Sequence, residues 1–197
     1  MARLKTISDF KSAMTGGGAR PNLFEVQLET FPSGITGANW DADKFQYMCK
    51  AAQLPASTIA SIDVPFRGRT FKVAGDRTID VWTVTVINDE DFKLRRAFEA
   101  WSEHIAKLSN NLGATNPNSY MSSAMVYQLG RGATLNSTTN AGSDSAILAS
   151  YKFDGIFPTS VSSIDLSYDS GDTIEEFTVE FQVQTYEIIS GSTAAKA

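Results

Sequence analysis

From Asn22 to Thr30 apolar and polar residues alternate, with Phe24, Val26 and Leu28 on one face of an extended chain and Glu25, Gln27 and Glu29 on the other. This predicts a half-buried strand. A loop from Phe31 to Asp43, marked by Pro32, Gly34 and Gly37, separates it from a second alternation between Lys44 and Gln53 through Phe45, Tyr47, Cys49 and Ala51. A second strand is expected there. Leu54-Pro55 breaks the pattern because proline has no N–H for a ladder, and Ile59–Val64 with Thr70–Val73 read as the arms of a projecting hairpin around Arg67-Gly68-Arg69. Gly75, Asp76 and Arg77 are expected to turn the chain, with Gly75 shaping the bend and an Asp76–Arg77 ion pair bracing it. The strand that follows, Thr78 to Ile87, is apolar or β-branched on both faces, which predicts cover on both sides.

One helix stands out, expected over about residues 89–109. Asn88 or Asp89 can cap it, Glu90 and Asp91 suit its positive end, and Leu94, Phe98, Trp101, Ile105 and Leu108 form one apolar stripe that can lie on a sheet. Asn110, Asn111 and Gly113 end it. The last third returns to strands at Ala146–Phe153, Val161–Tyr168 and Ile174–Tyr186, the last two joined by a turn at Asp169-Ser170-Gly171-Asp172. In the final strand Phe177, Val179, Phe181 and Val183 share one face, and Glu176, Thr178, Glu180, Gln182 and Gln184 share the other. The fold class is therefore mainly β, a β-sandwich or barrel-like domain with one packed helix and long loops. A single domain spans residues 1–197, with 1–20 as a flexible N-terminal arm rich in glycine at its end, 130–145 as an exposed insertion and 188–197 as a tail.

Composition narrows the chemistry. With 17 Lys and Arg against 22 Asp and Glu, the net charge of -5 disfavours a protein that grips nucleic-acid backbones. The one cysteine, Cys49, and the one histidine, His104, exclude an internal disulfide and a cysteine- or histidine-rich metal cluster. His104 lies between stripe residues of the helix, and Cys49 falls in step with Phe45 and Tyr47 as a buried small hydrophobe. There is no phosphate-cradling glycine loop and no nucleophile elbow, and Glu176 and Glu180 lie roughly 13 Å apart along a strand, too far for a cooperating carboxylate pair. No catalytic residue, metal ligand or cofactor site is therefore assigned. No apolar run is long enough to span a bilayer, and Met1–Phe10 carries charges and no apolar stretch of the kind found in cleaved signals.

Several blocks taken together carry a resemblance. Ala19-Arg20-Pro21-Asn22-Leu23-Phe24-Glu25-Val26, Cys49-Lys50-Ala51-Ala52-Gln53-Leu54-Pro55, Val73-Ala74-Gly75-Asp76-Arg77-Thr78, Trp82 to Asp89 and Arg96 to Trp101 resemble, in order, the tail tube proteins of T-even-like contractile-tailed bacteriophages. Gly155 to Val161, Leu166-Ser167-Tyr168-Asp169-Ser170 and Ile174 to Phe181 are similar to the closing strands of that family. The similarity runs from Ala19 to about Glu187. It departs at Phe31–Asp43, Gly130–Ser145 and Ile188–Ala197, which are longer than the family core requires, and at Tyr168, where the family often has tryptophan.

The resemblance implies a barrel-like structural subunit whose copies close into a ring. Counts of five and of six both enter this expectation, with the homohexamer carried forward. Rings stack into a hollow tube inside a contractile sheath, in a virion tail assembled in the host cytoplasm. The implied partners are the tail sheath protein, the tape-measure protein, a baseplate tube initiator, a tail terminator and DNA in transient, non-sequence-specific passage, without stable membrane insertion. Closing sheet edges between copies removes them, and a repeated head-to-tail contact yields an open filament. On this view Asp165, Glu176, Glu180, Gln182 and Gln184 line the lumen, while Phe66, Arg67, Gly68 and Arg69 contact the next ring or neighbouring subunit. A tube of a phage-derived contractile injection system carrying protein cargo is the near alternative. A carbohydrate-binding or hydrolytic β-sandwich is the remote one.

Overall fold

A computed structural model describes residues 6–14, 18–130 and 147–190. Secondary structure runs α1 (Ile7–Ala13), β1 (Phe24–Thr30), α2 (Ala42–Met48), β2 (Cys49–Ala52), β3 (Ser57–Phe66), β4 (Arg69–Ile79), β5 (Trp82–Ile87), α3 (Lys93–Ile105), β6 (Ser122–Leu129), β7 (Ile147–Val161), β8 (Glu176–Gln182) and β9 (Thr185–Ser190), with a 3-10 turn at Pro117–Ser119. The main sheet is ordered β1-β6-β7-β8-β5-β2, with β9 beside β7, and β3 and β4 form a sheet of their own. The mainly β class with a helix packed on the sheet is what the sequence predicts.

Contacts divide the chain into two units, residues 26–124 with 153–186, and residues 1–25, 125–152 and 187–197. The first holds most of the buried core. Trp82, Val84 and Val86 of β5 stand opposite Phe181, Val179 and Phe177 of β8, and all six are buried. Leu94, Ala97, Phe98 and Trp101 of α3 close over them, with the Phe98 ring centroid 5.9 Å from that of Phe181 and 6.2 Å from that of Phe177. Phe31, Trp40 and Phe45 extend this cluster: Trp40 stacks on Phe31 at 4.8 Å and meets Phe98 edge-on at 5.6 Å. The Trp101 indole N–H donates to the Tyr120 carbonyl at 2.8 Å, which satisfies the polar end of a fully buried ring. In the second unit, α1 carries a capping box between Thr6 and Asp9, and Gln128 Nε2 donates to the Arg20 and Leu23 carbonyls.

Several local expectations are corrected. Lys44 to Met48 is helical, because the Asp41 carboxylate accepts from the Lys44 N–H at 3.0 Å and starts α2; only Phe45 of that helix is buried. Helix α3 begins at Lys93, after Phe92 in a left-handed conformation (φ 53°), and not at Asn88 or Asp89. Asp89, expected to cap, and Asp91, expected in the first turn, both bind Lys44 Nζ, at 2.7 Å and 2.6 Å, and Asp91 Oδ1 also accepts from the Lys93 N–H at 3.1 Å at the helix start. This keeps Asp91 ionised down to about 2, chiefly through the Lys44 hydrogen bond, and raises Lys44. Helix α3 ends at Ile105, leaving Leu108 exposed.

Gly75, Asp76 and Arg77 lie inside β4 and make no turn. Ile59 pairs with Arg77 and Ser61 with Ala74, so β4 carries an extra residue there, a bulge where a turn was expected. Arg77 does not brace Asp76 either; its guanidinium donates to Ser57 Oγ and to the Tyr186 hydroxyl. The expected strand at Val161–Tyr168 is absent: β7 ends at Val161, Ser162 makes a last pair of hydrogen bonds with Thr178 of β8, and residues 163–167 belong to no strand. The expected strand Ile174–Tyr186 is two, β8 and β9, and Ile188–Ser190 belongs to β9 instead of a tail. The expected arm contains α1, and nearly all of the expected insertion, 131–145, lies outside the described residues. The second face of β5, with Thr83, Thr85 and Ile87, is half-buried, not covered.

Candidate assembly surfaces

The β3–β4 hairpin is built for a tight turn. Arg67 (φ 45°) and Gly68 (φ 82°) both have positive φ, as a two-residue type I′ connection requires, and its twist suits the flanking strands. The register then sorts the side chains. Phe66 faces Arg69, Val64 faces Phe71 and Ile62 faces Val73, so these six lie on one face, whereas Pro65, Thr70, Asp63 and Lys72 lie on the other. Asp63 and Lys72 form an ion pair at 3.4 Å on the polar face. Among the described residues nothing covers the apolar face: Phe66 and Phe71 are each 66% exposed, and Ile62, Val64 and Val73 are exposed as well. At the root, Arg77 donates to Ser57 Oγ at 2.9 Å and Tyr186 Oη at 2.8 Å, and its guanidinium lies 5.3 Å above the Tyr186 ring. This ties the hairpin to β9.

The predicted polar row is brought together on β8, where Glu176, Thr178, Glu180 and Gln182 oppose Ile87, Thr85, Thr83 and Phe157 across the neighbouring strands. Its charge is lower than the sequence suggests. Ala51 pairs with Thr85 and Cys49 with Val86, so Lys50 is the extra residue of a bulge in β2, and its Nζ reaches Glu176 Oε1 at 2.6 Å. Glu180 has no such partner among the described residues. Gln184 lies beyond the end of β8, exposed, with its side chain against Gly155, whose φ of 66° marks a bend in β7. Asp165 does not join the row; it sits exposed in the connection between β7 and β8.

That connection is the surface sequence reading missed. Leu166 (80% exposed), Tyr168 and Ile174 (73%) stand in solvent beside Asp165, Asp169 and Asp172. The available signal was the clash between apolar residues and a dense run of acids and serines, a poor strand pattern. Burial pushes the Cys49 thiol up to about 12, so it stays protonated at neutral pH. No group of three or more His, Cys, Asp or Glu side chains among the described residues is arranged to hold a metal ion.

Residues 19–189 match the phage tail tube protein family. The chain belongs to that family. It is 35% identical over 173 residues to the tail tube protein gp19 of Enterobacteria phage T4, covering 88% of this chain and 93% of that one. Among solved structures it shares its fold with the terminating cap of the anti-feeding prophage tube (TM-score 0.60, 17% identity, 88% and 92% covered) and with the sheath/tube terminator of an extracellular contractile injection system (0.57, 14%, 88% and 97%). It also matches the anti-feeding prophage baseplate, described as six-fold symmetrised (0.54, 11%, 88% and 96%). Phage tail tube proteins are components of the virion tail, and the solved structures that share this fold come from a tube terminating cap, a sheath/tube terminator and a baseplate. No helix among the described residues is long and apolar enough to cross a membrane.

Proposed function

We propose that this chain is the repeating subunit of a contractile phage's tail tube, with six copies closing a ring and rings stacking into a conduit for genome delivery. It performs no chemistry of its own. The observation that carries the reading is the β3–β4 hairpin, an ordered amphipathic ribbon whose whole apolar face is in solvent. A contiguous apolar surface of this kind on a single chain marks a contact with another chain. Among the described residues the main sheet also ends on β1 and β2, edges that another copy can complete. Six copies, not five, is the count supported by the symmetry of the fold relative described above. Phage genome delivery is favoured over protein cargo because the 35% identical relative is a phage protein, while the injection-system likeness is one of fold.

The polar row of β8 faces the lumen in this arrangement. Repeated around a ring, Glu180 and the hydroxyls of Thr83, Thr85 and Thr178 present DNA with a wall that carries little charge and no cation free to trap phosphate, since Lys50 is held by Glu176. Sheath, tape-measure protein, initiator and terminator are the other contacts this role requires. Electron microscopy of the concentrated purified chain tests the role directly: hollow tubes or stacked rings about one subunit thick are expected, and six-fold top views fix the count. For the wall, virions with Glu176→Lys and Glu180→Lys should assemble normally and release DNA more slowly or incompletely. Unchanged ejection removes the lumen assignment.

A further inference from the structure

The hairpin and the β7–β8 connection are opposite in charge and sit at opposite ends of one strand. The root of the hairpin is fixed by the Asp80 N–H donating to the Ala56 carbonyl at 2.9 Å and the Gln53 N–H donating to the Thr83 carbonyl at 3.1 Å, both at the Trp82 end of β5. The far end of the connection is fixed by the Asn88 N–H donating to the Glu175 carbonyl at 2.8 Å, reinforced by Asn88 Nδ2 on Glu175 Oε2 at 2.9 Å, at the Ile87 end. A strand of this length, about 20 Å, separates the two. One chain therefore roots a hairpin with a basic, apolar tip at one end of β5 and an acidic, apolar loop at the other. Both surfaces are exposed on the single chain, so neither covers the other there, and copies stacked head to tail can bring them together repeatedly.

The side chains fit that relation. On the hairpin, Phe66, Phe71 and Val64 lie on one exposed face beside Arg69, with the Arg67 guanidinium 5.5 Å from the Phe66 ring centroid. Lys72 is already engaged by Asp63, which leaves Arg67 and Arg69 as the cations at the tip. On the loop, Leu166, Tyr168 and Ile174 supply exposed apolar surface, and Asp165, Asp169 and Asp172 have no ion-pair partner among the described residues. Arginine suits this role, because its planar fork binds carboxylates in two-pronged fashion and lies flat on aromatic rings such as Tyr168.

We propose that the hairpin tip of one copy, through Phe66, Arg67 and Arg69, docks on the connection 165–174 of a copy in the adjacent ring, through Tyr168, Asp169 and Asp172. The proposal rests on the tube reading and names both halves of its axial contact. It also moves Asp165 from the lumen to the ring-to-ring interface. Exposed charges at such a contact are screened by salt, so stacking weakens as ionic strength rises while the folded subunit is unaffected.

A reciprocal charge exchange tests it with the full-length chain. One variant carries Arg67→Glu and Arg69→Glu, and the other carries Asp169→Arg and Asp172→Arg; each is examined for melting temperature, sedimentation and tube formation. Each alone is expected to melt like the unsubstituted chain, form rings, and stack at least tenfold less. Mixed in equal amounts they should stack again, in alternating rings, because each acidic tip meets a basic loop and each basic tip an acidic loop. Normal stacking by either variant alone, or no recovery on mixing, overturns the pairing while leaving the tube reading in place. An unsubstituted chain that shows no ring-on-ring association at any concentration overturns the tube reading itself.

Discussion

Two antiparallel strand pairs in this chain carry the same alternation and meet opposite fates. In β5 and β8 the apolar face, Trp82, Val84, Val86, Phe177, Val179 and Phe181, is sealed by α3. In β3 and β4 the apolar face, Ile62, Val64, Phe66, Phe71 and Val73, is open to solvent although the ladder is longer and its turn is well formed. Alternation thus states that a face needs cover, and only the rest of the chain decides whether the cover is internal. Here the stripe of α3 lies on β5 and β8, and among the described residues the apolar face of the hairpin stays in solvent. On the proposed reading the core sheet serves folding and the hairpin serves assembly, and substitutions should separate the two.

The largest effect belongs to the core. Phe98 touches Trp40, Phe45, Phe177 and Phe181 and is fully buried, so Phe98→Ala leaves a cavity at the junction of α3 and the sheet. A loss of about 3–5 kcal/mol in folding free energy is expected from denaturant titration, enough to remove assembly by removing the subunit. The same chemical change on the hairpin should read out differently. Phe66→Ser with Phe71→Ser deletes two rings that touch solvent on one chain, so the melting curve of the unassembled subunit should move by less than about 0.5 kcal/mol. Tube formation should nevertheless require at least tenfold more protein, because each ring buried at a contact contributes about 1.5–3 kcal/mol. If the double variant instead unfolds like Phe98→Ala, the hairpin is part of the core and the contrast collapses.

The same contrast explains what the sequence made legible. Long, regular alternation was readable wherever an internal partner enforced it, as at Phe24–Leu28 and Phe177–Val183, and the stripe Leu94, Phe98 and Trp101 was readable because a helix on a sheet needs that spacing. Between Lys44 and Met48 the alternation was accidental, too short to tell a strand from a helix, and a single capping carboxylate from Asp41 decided the matter. The helix start at Asn88 was misplaced because Asp89 binds Lys44 and the chain turns through the left-handed Phe92 before α3 begins, with Asp91 bridging Lys44 and the Lys93 N–H. At Gly75–Arg77 a turn signature was absorbed by a bulge, because β3 pairs with β4 on both sides of it, Ile59 with Arg77 and Ser61 with Ala74. For the candidate sites, the tip of the hairpin and the polar row of β8 were visible as patterns. The Lys50–Glu176 pair was not, since a bulge that re-aims one side chain across two strands leaves no periodic trace.

The smallest expected effect is the most discriminating, because it sets fold against assembly at one residue. Arg67 occupies a left-handed backbone conformation that a side chain other than glycine, asparagine or aspartate adopts at a cost of about 1–2 kcal/mol. Asparagine is the residue a type I′ turn prefers there. Arg67→Asn should therefore stabilise the hairpin by about 1 kcal/mol at most, seen as slower amide exchange across Val64–Phe71, while it removes the tip charge. Arg67→Lys keeps both the strain and the charge. If the arginine is retained for the contact between rings, the asparagine variant has the better turn and the poorer tube, with stacking that depends less on salt, and the lysine variant stacks nearly as well as the unsubstituted chain. Tubes that improve along with the turn would mean that the strain at Arg67 has no counterpart in assembly.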